Sequence, residues 1–168
     1  VVNSIPKVNI SILQKDSLTF KAAYVKYVEQ DYQIAKKGFS QYIDNFKEGI
    51  FLESVRYYNA QNYLSLQDTS NAIIQYNEIV KSGKPIFLEE AIIFLSRHYF
   101  NVKNYPNANM YYSALEKIAT SNDIKREAVL HLMYINELND KSSTIALDYA
   151  HKVLDFEKLD NSHLARAF

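Results

Sequence analysis

The chain has 168 residues, no cysteine, and 19 basic against 19 acidic side chains. That balance leaves no basic face to release counterions from a nucleic-acid backbone, so nucleic acid is not an expected partner. The missing thiols exclude disulfides, thiolate metal sites and cysteine nucleophiles. With 48% apolar residues but only three glycines and three prolines, it can build a core and has little punctuation, which favours long helices over a turn-rich β protein.

Residues 1–16 read differently from the rest. Val8, Ile10 and Ile12 alternate with polar residues and Pro6 interrupts them, so this stretch is expected to be an extended arm, a short edge strand or a linker. From Ser17 a helical period takes over, with helices expected over 18–29 and 32–46 and Gly49 as a left-handed stop. A third helix is expected over 51–66, and Asp68, Thr69 and Ser70 offer capping oxygens for a fourth over 71–81. Ser82-Gly83-Lys84-Pro85 is the clearest break.

The stretch that follows is the most regular. Leu88, Ala91, Ile92, Leu95 and Tyr99 share one face of a helix over 86–101. After a short polar break, Pro106 sits where a first turn tolerates proline, and Ala108, Tyr112, Leu115 and Ala119 form a second stripe over 106–120. Two amphipathic helices joined so tightly run antiparallel, as a hairpin. Ser121, Asn122 and Asp123 can cap a seventh helix over 124–138. A loop over 139–142 and an eighth helix over 143–156 follow, and a ninth starts at Ser162 with Leu164, Ala165 and Phe168. The longest apolar run, 91–95, is far short of the roughly 20 residues a membrane span needs. Opening at Val1 and ending inside an apparent helix, the chain is expected to be a fragment or processed form.

The hairpins repeat. Ala35, Ala72, Ala108 and Ala146 hold the same place in successive second helices, at separations of 37, 36 and 38 residues. Phe39, Tyr76, Tyr112 and Ala150 stand one turn later. An alanine lets two helices approach closely, and the aromatic beyond it fills the gap to the next hairpin. A period in the mid-thirties built from paired helices signals a solenoid.

These units resemble tetratricopeptide repeats. The third matches best, with Leu95, Ser96, Tyr99, Tyr105, Ala108 and Tyr112; the second keeps Ala60, Tyr63, Ala72 and Tyr76; the first keeps Ala23, Tyr32, Ala35 and Phe39, with Tyr27 displaced by one. The fourth keeps little beyond Ala146. The resemblance spans residues 18–168. The wording of residues 22–46 is similar to the opening repeat of envelope-associated tetratricopeptide proteins of Bacteroidetes-type bacteria, which resemble the Tol-Pal coordinator and outer-membrane assembly lipoprotein repeats. It implies a right-handed all-α solenoid of about four repeats (about 17–49, 50–83, 84–121 and 122–160) with a partial fifth over 161–168. It also implies a bacterial cell-envelope or periplasmic location, the cytoplasm being the alternative.

No phosphate loop, nucleophile elbow or H-E-x-x-H motif occurs. His98, His131, His151 and His163 are scattered, and Glu89-Glu90 suits the positive end of a helix dipole. Neither a metal nor a cofactor is expected, and the chain reads as a non-enzyme. In the paired aromatics Tyr57-Tyr58, Tyr99-Phe100 and Tyr111-Tyr112, adjacent residues point about 100° apart. At most one of each pair should therefore face a given groove. In tetratricopeptide repeats the first helices line the concave face. That implies a partner-binding groove of Phe20, Tyr24, Tyr57, Gln61, Leu64, Glu90, Ile93, Arg97, His131 and Ile135. The carboxylate clamp of some members is not kept, because Phe20, Tyr24, Tyr58, Glu90 and Phe94 occupy its positions. Arg97 is expected to meet a partner carboxylate or Glu90, about two turns away on its own helix.

The expected function is a protein-interaction scaffold holding a peptide or partner protein in the groove. The alternative is a structural spacer within a longer repeat protein. The unpartnered helix from Ser162 also suggests self-association or downstream repeats.

Overall fold

The computed structural model describes residues 11–139 and 144–155. It contains α1 (Ile12–Val28), α2 (Tyr32–Asn45), α3 (Leu52–Ser65), α4 (Thr69–Ser82), α5 (Leu88–Asn101), α6 (Tyr105–Ile118), α7 (Asn122–Asn139) and α8 (Thr144–Leu154). Helix fills 82% of the described residues, no strand occurs among them, and the fold is all-α. The chain divides into two compact units, Val1–Phe87 and Leu88–Phe168. Within the first, α1 packs on α2, α2 on α3 and α3 on α4; within the second, α5, α6, α7 and α8 pack in the same consecutive order.

The turns inside the hairpins repeat residue for residue. Gln30, Gln67 and Lys103 follow the first helix of each of the first three hairpins and take positive φ of 65°, 59° and 59°. The next amide closes each helix: Asp31 N–H donates to Lys26 O at 2.9 Å, Asp68 to Tyr63 O at 2.9 Å and Asn104 to Tyr99 O at 2.8 Å. These are Schellman closures, which satisfy carbonyls left orphaned at a helix end. They put Lys26 level with Tyr63 and Tyr99, which accounts for the one-residue displacement of Tyr27. Asp68 and Asn104 then start the second helices, their side chains accepting from Asn71 N at 3.2 Å and Asn107 N at 3.3 Å.

The anchors expected on the second helices form the core. Ala35, Phe39, Ala72, Tyr76, Ala108 and Tyr112 are all 0% exposed. In α8 the anchor slips one turn: Ala146 is half-buried, while Ala150 and Val153 are buried against Val129 and Met133 of α7. Burying a ring or branched side chain contributes about 2 kcal/mol by area transfer, so this stripe dominates the stability of each hairpin.

Several boundaries differ from the sequence reading. Residues 12–16 are helical rather than extended, because Ser11 and Gln14 form a capping box: Ser11 Oγ accepts from Gln14 N at 3.2 Å, and Ser11 N donates to Gln14 Oε1 at 2.9 Å. Gly49 is not left-handed. It is a close-approach residue, since a Cβ there would lie 2.8 Å from Phe46 Cβ and would collide with Tyr42 Oη. Gly83, with φ of 66°, is the left-handed cap, at the end of α4. α5 starts at Leu88 rather than 86 because Phe87 sits at φ 57°, and Asn139 is helical rather than loop. The arm over residues 1–10, the loop over 140–143 and the helix from Ser162 lie outside the described residues.

Candidate functional site

α1 and α3 gather aromatic rings on one face of the first unit. Phe20 stacks on Phe51 at 4.8 Å with planes 13° apart, and Tyr57 stacks on Phe87 at 4.1 Å and 6°. The two stacks are one motif repeated, because Tyr57 follows Phe20 by 37 residues and Phe87 follows Phe51 by 36. In both, a ring on the first helix of a hairpin lies flat against the ring that leads into the next such helix. Tyr58 ties the stacks together, meeting the Tyr24 ring edge-on at 4.7 Å, Tyr57 at 5.4 Å and Phe87 at 5.9 Å. Phe20, Tyr24, Phe51, Tyr57, Tyr58 and Phe87 are all half-buried.

Phe87 is the strained member. A bulky side chain in the left-handed region costs on the order of 1–3 kcal/mol and persists only where its surroundings hold it. Here the flat stack on Tyr57 does so. Burial, and then the neighbouring Tyr24 phenol, pushes the Tyr58 phenol above its ordinary value. Burial does the same to Tyr27. These phenols are therefore neutral at pH 7, and the face offers ring area with O–H donors and acceptors rather than charge.

Of the groove residues expected from sequence, the structure brings Phe20, Tyr24 and Tyr57 together through Tyr58. Tyr57 and Tyr58 both meet the Phe87 ring, contrary to the one-per-pair expectation. Gln61 is committed inside the hairpin, its Nε2 donating to Tyr76 Oη at 2.6 Å, and Leu64 is half-buried on α3.

The remaining candidates lie on the second unit. Arg97 pairs neither with Glu90, which is exposed, nor with an open groove. Its Nε and Nη2 donate to the two Glu127 oxygens at 2.7 and 2.5 Å, a bidentate bridge from α5 to α7. His131 belongs to the same junction. Its Nδ1 lies 2.8 Å from Glu127 O, and its ring stacks on Tyr112 at 4.5 Å and meets Phe100 edge-on at 4.4 Å. Ile93 is half-buried on α5. Ile135 is a correction: at 1% exposure it is core, because the inner face of α7 already takes Val129, Leu132 and Met133.

Glu89 does more than complement the α5 dipole: it accepts from Thr120 N at 3.0 Å and Thr120 Oγ1 at 2.9 Å, closing the end of α6. Among the described residues no cluster of three or more histidine, cysteine or acidic side chains is placed to hold a metal ion, and no helix is long and apolar enough to cross a membrane.

Sequence reasoning missed three members of the ring face: Phe51, Phe87 and the inward half of the Tyr57-Tyr58 pair. The signal was present, since Phe51 and Phe87 are 36 residues apart, the repeat length. It also missed the buried Asp16. Asp16 is 4% exposed, accepts a short hydrogen bond from Tyr42 Oη and accepts from Ile50 N at 3.0 Å. Tyr42 Oη in turn accepts from Phe51 N at 3.1 Å. This chain of bonds fixes the α2–α3 connection against α1 and holds the Phe51 ring where Phe20 stacks on it.

No protein-family model and no curated protein sequence matches this chain.

Proposed function

We propose that the chain is a non-enzymatic protein-interaction scaffold, a right-handed solenoid of about four tetratricopeptide-like hairpins with a partial fifth. On this reading it holds a peptide segment or partner protein on the ring face of α1 and α3. The repeated stack carries the reading. Phe20 on Phe51 and Tyr57 on Phe87 form rigid rings, half open and with few rotatable bonds, the side-chain type in which interface energy concentrates. Phe87 adds backbone strain at the same face, which is where strain collects when a surface is pre-organised for contact. On the resemblance alone, the proposed place of action is the bacterial cell envelope. A pure spacer would need the stripe of alanines and core rings but no open stacks.

The test starts with a crosslinked pull-down from native cells to obtain a partner. Tyr24→Leu combined with Tyr57→Leu keeps apolar area while removing ring planes and hydroxyls. The scaffold reading expects a loss of about 2 kcal/mol or more in binding with a far smaller loss of stability. Unchanged affinity in the double variant sinks the ring face as the binding surface.

A further inference from the structure

The tetrapeptide Ile-Phe-Leu-Glu occurs twice, at 50–53 and 86–89, and each copy leads into the first helix of a hairpin. The backbone treats the two copies differently. Phe51 sits at φ −100°, whereas Phe87 sits at φ 57°. Identical residues in two conformations mean that their surroundings, not the tetrapeptide, choose between them.

Four bonds hold the first copy. Asp16 Oδ2 accepts from Ile50 N at 3.0 Å, and Tyr42 Oη accepts from Phe51 N at 3.1 Å. Gly49 N donates to Phe46 O at 2.9 Å, and Leu52 N donates to Gly49 O at 3.1 Å. The second copy lacks the groups for two of these. Ile79 follows Tyr42 by 37 residues and has no hydroxyl, and Pro85 follows Gly49 by 36 and has no N–H.

The acid is kept, because Glu53 follows Asp16 by 37 residues. Glu53 is 5% exposed, and its Oε1 meets Arg56 at 3.4 Å and Lys84 at 3.5 Å. Its Oε2 is buried without a hydrogen-bond partner. One repeat further on, Glu89 accepts from Thr120 N in the connection after α6. An acid on the first helix thus holds an amide of the following connection in the first and third hairpins, and holds none in the second. An unpartnered buried carboxylate oxygen and a left-handed phenylalanine are both unfavourable. Both fall on one connection, and a single rearrangement relieves both.

We propose that the connection over 85–89 is a two-state joint. In the state described above, Phe87 is left-handed and Glu53 Oε2 is unpartnered. In the other, the connection takes the backbone of 49–53, and Phe87 moves to negative φ. Ile86 N–H then donates to Glu53 Oε2, as Ile50 N–H donates to Asp16 Oδ2. The ring stack survives the change, since Phe51 stacks on Phe20 with its own φ at −100°. Lys84 holds the first state through its ammonium on Glu53 Oε1 and its amide on Ser82 Oγ at 3.4 Å. The joint lies where the chain passes from one compact unit into the next. A partner on the ring face would touch Phe87 and bias the joint; that consequence rests on the proposed function, whereas the joint itself does not.

The test is saturation-transfer NMR at the amide nitrogens of the full chain, without a partner. Ile86 and Phe87 should exchange with a minor state of about 1–10%, while Ile50 and Phe51 show none. Pro85→Gly makes residues 85–89 identical to 49–53 and restores the missing N–H. It should make the second state the major one, moving the Ile86 amide proton downfield toward the position of Ile50. Adding Glu53→Gln, which keeps an acceptor, should preserve that move, and adding Glu53→Met should reverse it. The unmoved Ile50 amide reports that each variant is folded. No minor state at Ile86 and Phe87 overturns the proposal. So does an Ile86 amide that stays in place in Pro85→Gly, or one whose move persists with Glu53→Met.

Discussion

Tyr24 on α1 and Arg97 on α5 hold equivalent places in the repeat, counted from the left-handed residues Gln30 and Lys103. Each reaches toward the first helix of the next hairpin. Tyr24 meets α3 through the Tyr58 ring at 4.7 Å, whereas Arg97 meets α7 through both Glu127 oxygens. One helical turn further back, the ring stacks of Phe20 and Tyr57 have no counterpart in the second unit, where Ile93 stands at that place. The second helices of that unit are also tied by charge, with Lys152 Nζ donating to Glu116 at 2.5 Å across α6 and α8. The backbone period thus fixes which helices become neighbours, while side chains decide whether the contact at this one place is aromatic or ionic. An ionic junction consumes its own charges, and a half-buried aromatic one leaves area to share. Under the proposed function, that contrast favours the first unit as the surface a partner would use.

Alkali should strain the first unit most. Burial is the leading cause that holds the phenols of Tyr42, Tyr76 and Tyr112 well above their ordinary range. Below about pH 10 these phenols are protonated whether the chain is folded or not, and they contribute fully. Above it the unfolded chain loses the protons while the folded chain keeps them, so stability falls by about 1.4 kcal/mol per phenol for each further pH unit. Two of the three lie in the first unit. Hydrogen exchange at pH 11 against pH 8 should show α2 and α4 losing protection before α6, and simultaneous loss would contradict the contrast.

Asp16→Ala should come next. It leaves Tyr42 Oη and Ile50 N without their acceptor and frees the α2–α3 connection from α1. Buried hydrogen bonds to a charged group and the unsatisfied donors left behind together set a cost of about 3 kcal/mol. Urea denaturation read by near-ultraviolet circular dichroism should show that loss together with disturbed ring signals, because Phe51 follows the same loop. A loss under about 1 kcal/mol would mean that Asp16 does not position the ring face.

The helices were legible in the sequence because their signal is local: Leu88, Ala91, Ile92, Leu95 and Tyr99 fall on one face whatever surrounds them. The alanine anchors were legible because the same spacing recurs. Asp16 was not legible, since its partners at Tyr42 and Ile50 are 26 and 34 residues away and nothing near it in sequence marks a buried carboxylate. Gly49 misled for a related reason. Glycine after a helix ordinarily means a left-handed cap, but here Tyr42, Phe46 and Asp16 crowd the space a side chain would fill. That Arg97 meets Glu127 rather than Glu90 was not legible, because Glu127 reaches it only once α7 lies beside α5.

The Arg97–Glu127 bridge sharpens the contrast from the other side. Arg97 is 49% exposed at its side chain, so solvent and salt screen the pair. A double-mutant cycle of Arg97→Met and Glu127→Gln should return about 0.5–1 kcal/mol of coupling at low salt, the bidentate geometry placing it near the top of that range. Most of it should vanish in about 1 M salt, where the Debye length is near 3 Å. The Tyr24–Tyr58 contact, measured by the same kind of cycle, should be indifferent to salt. Equal salt sensitivity at the two junctions would remove the distinction between them.

The smallest expected effect lies in what the two units share, the left-handed residue inside the α1–α2, α3–α4 and α5–α6 hairpins. Gln30, Gln67 and Lys103 all hold positive φ with a side chain attached, a conformation that costs about 1 kcal/mol more for such residues than for glycine. Glycine relieves that cost but loses more freedom on folding, so Gln67→Gly should gain only about 0.5 kcal/mol. Gly83 gives the reverse experiment. A Cβ there meets nothing within 4 Å, so any penalty in Gly83→Ala comes from the backbone at φ 66° rather than from contact. It should cost about 1 kcal/mol. If the turns are one repeated device, Lys103→Gly in the second unit should match Gln67→Gly in the first to within a few tenths of a kcal/mol. Opposite signs for those two variants, in melting curves at pH 7, would show that the units differ in backbone as well as in side chains.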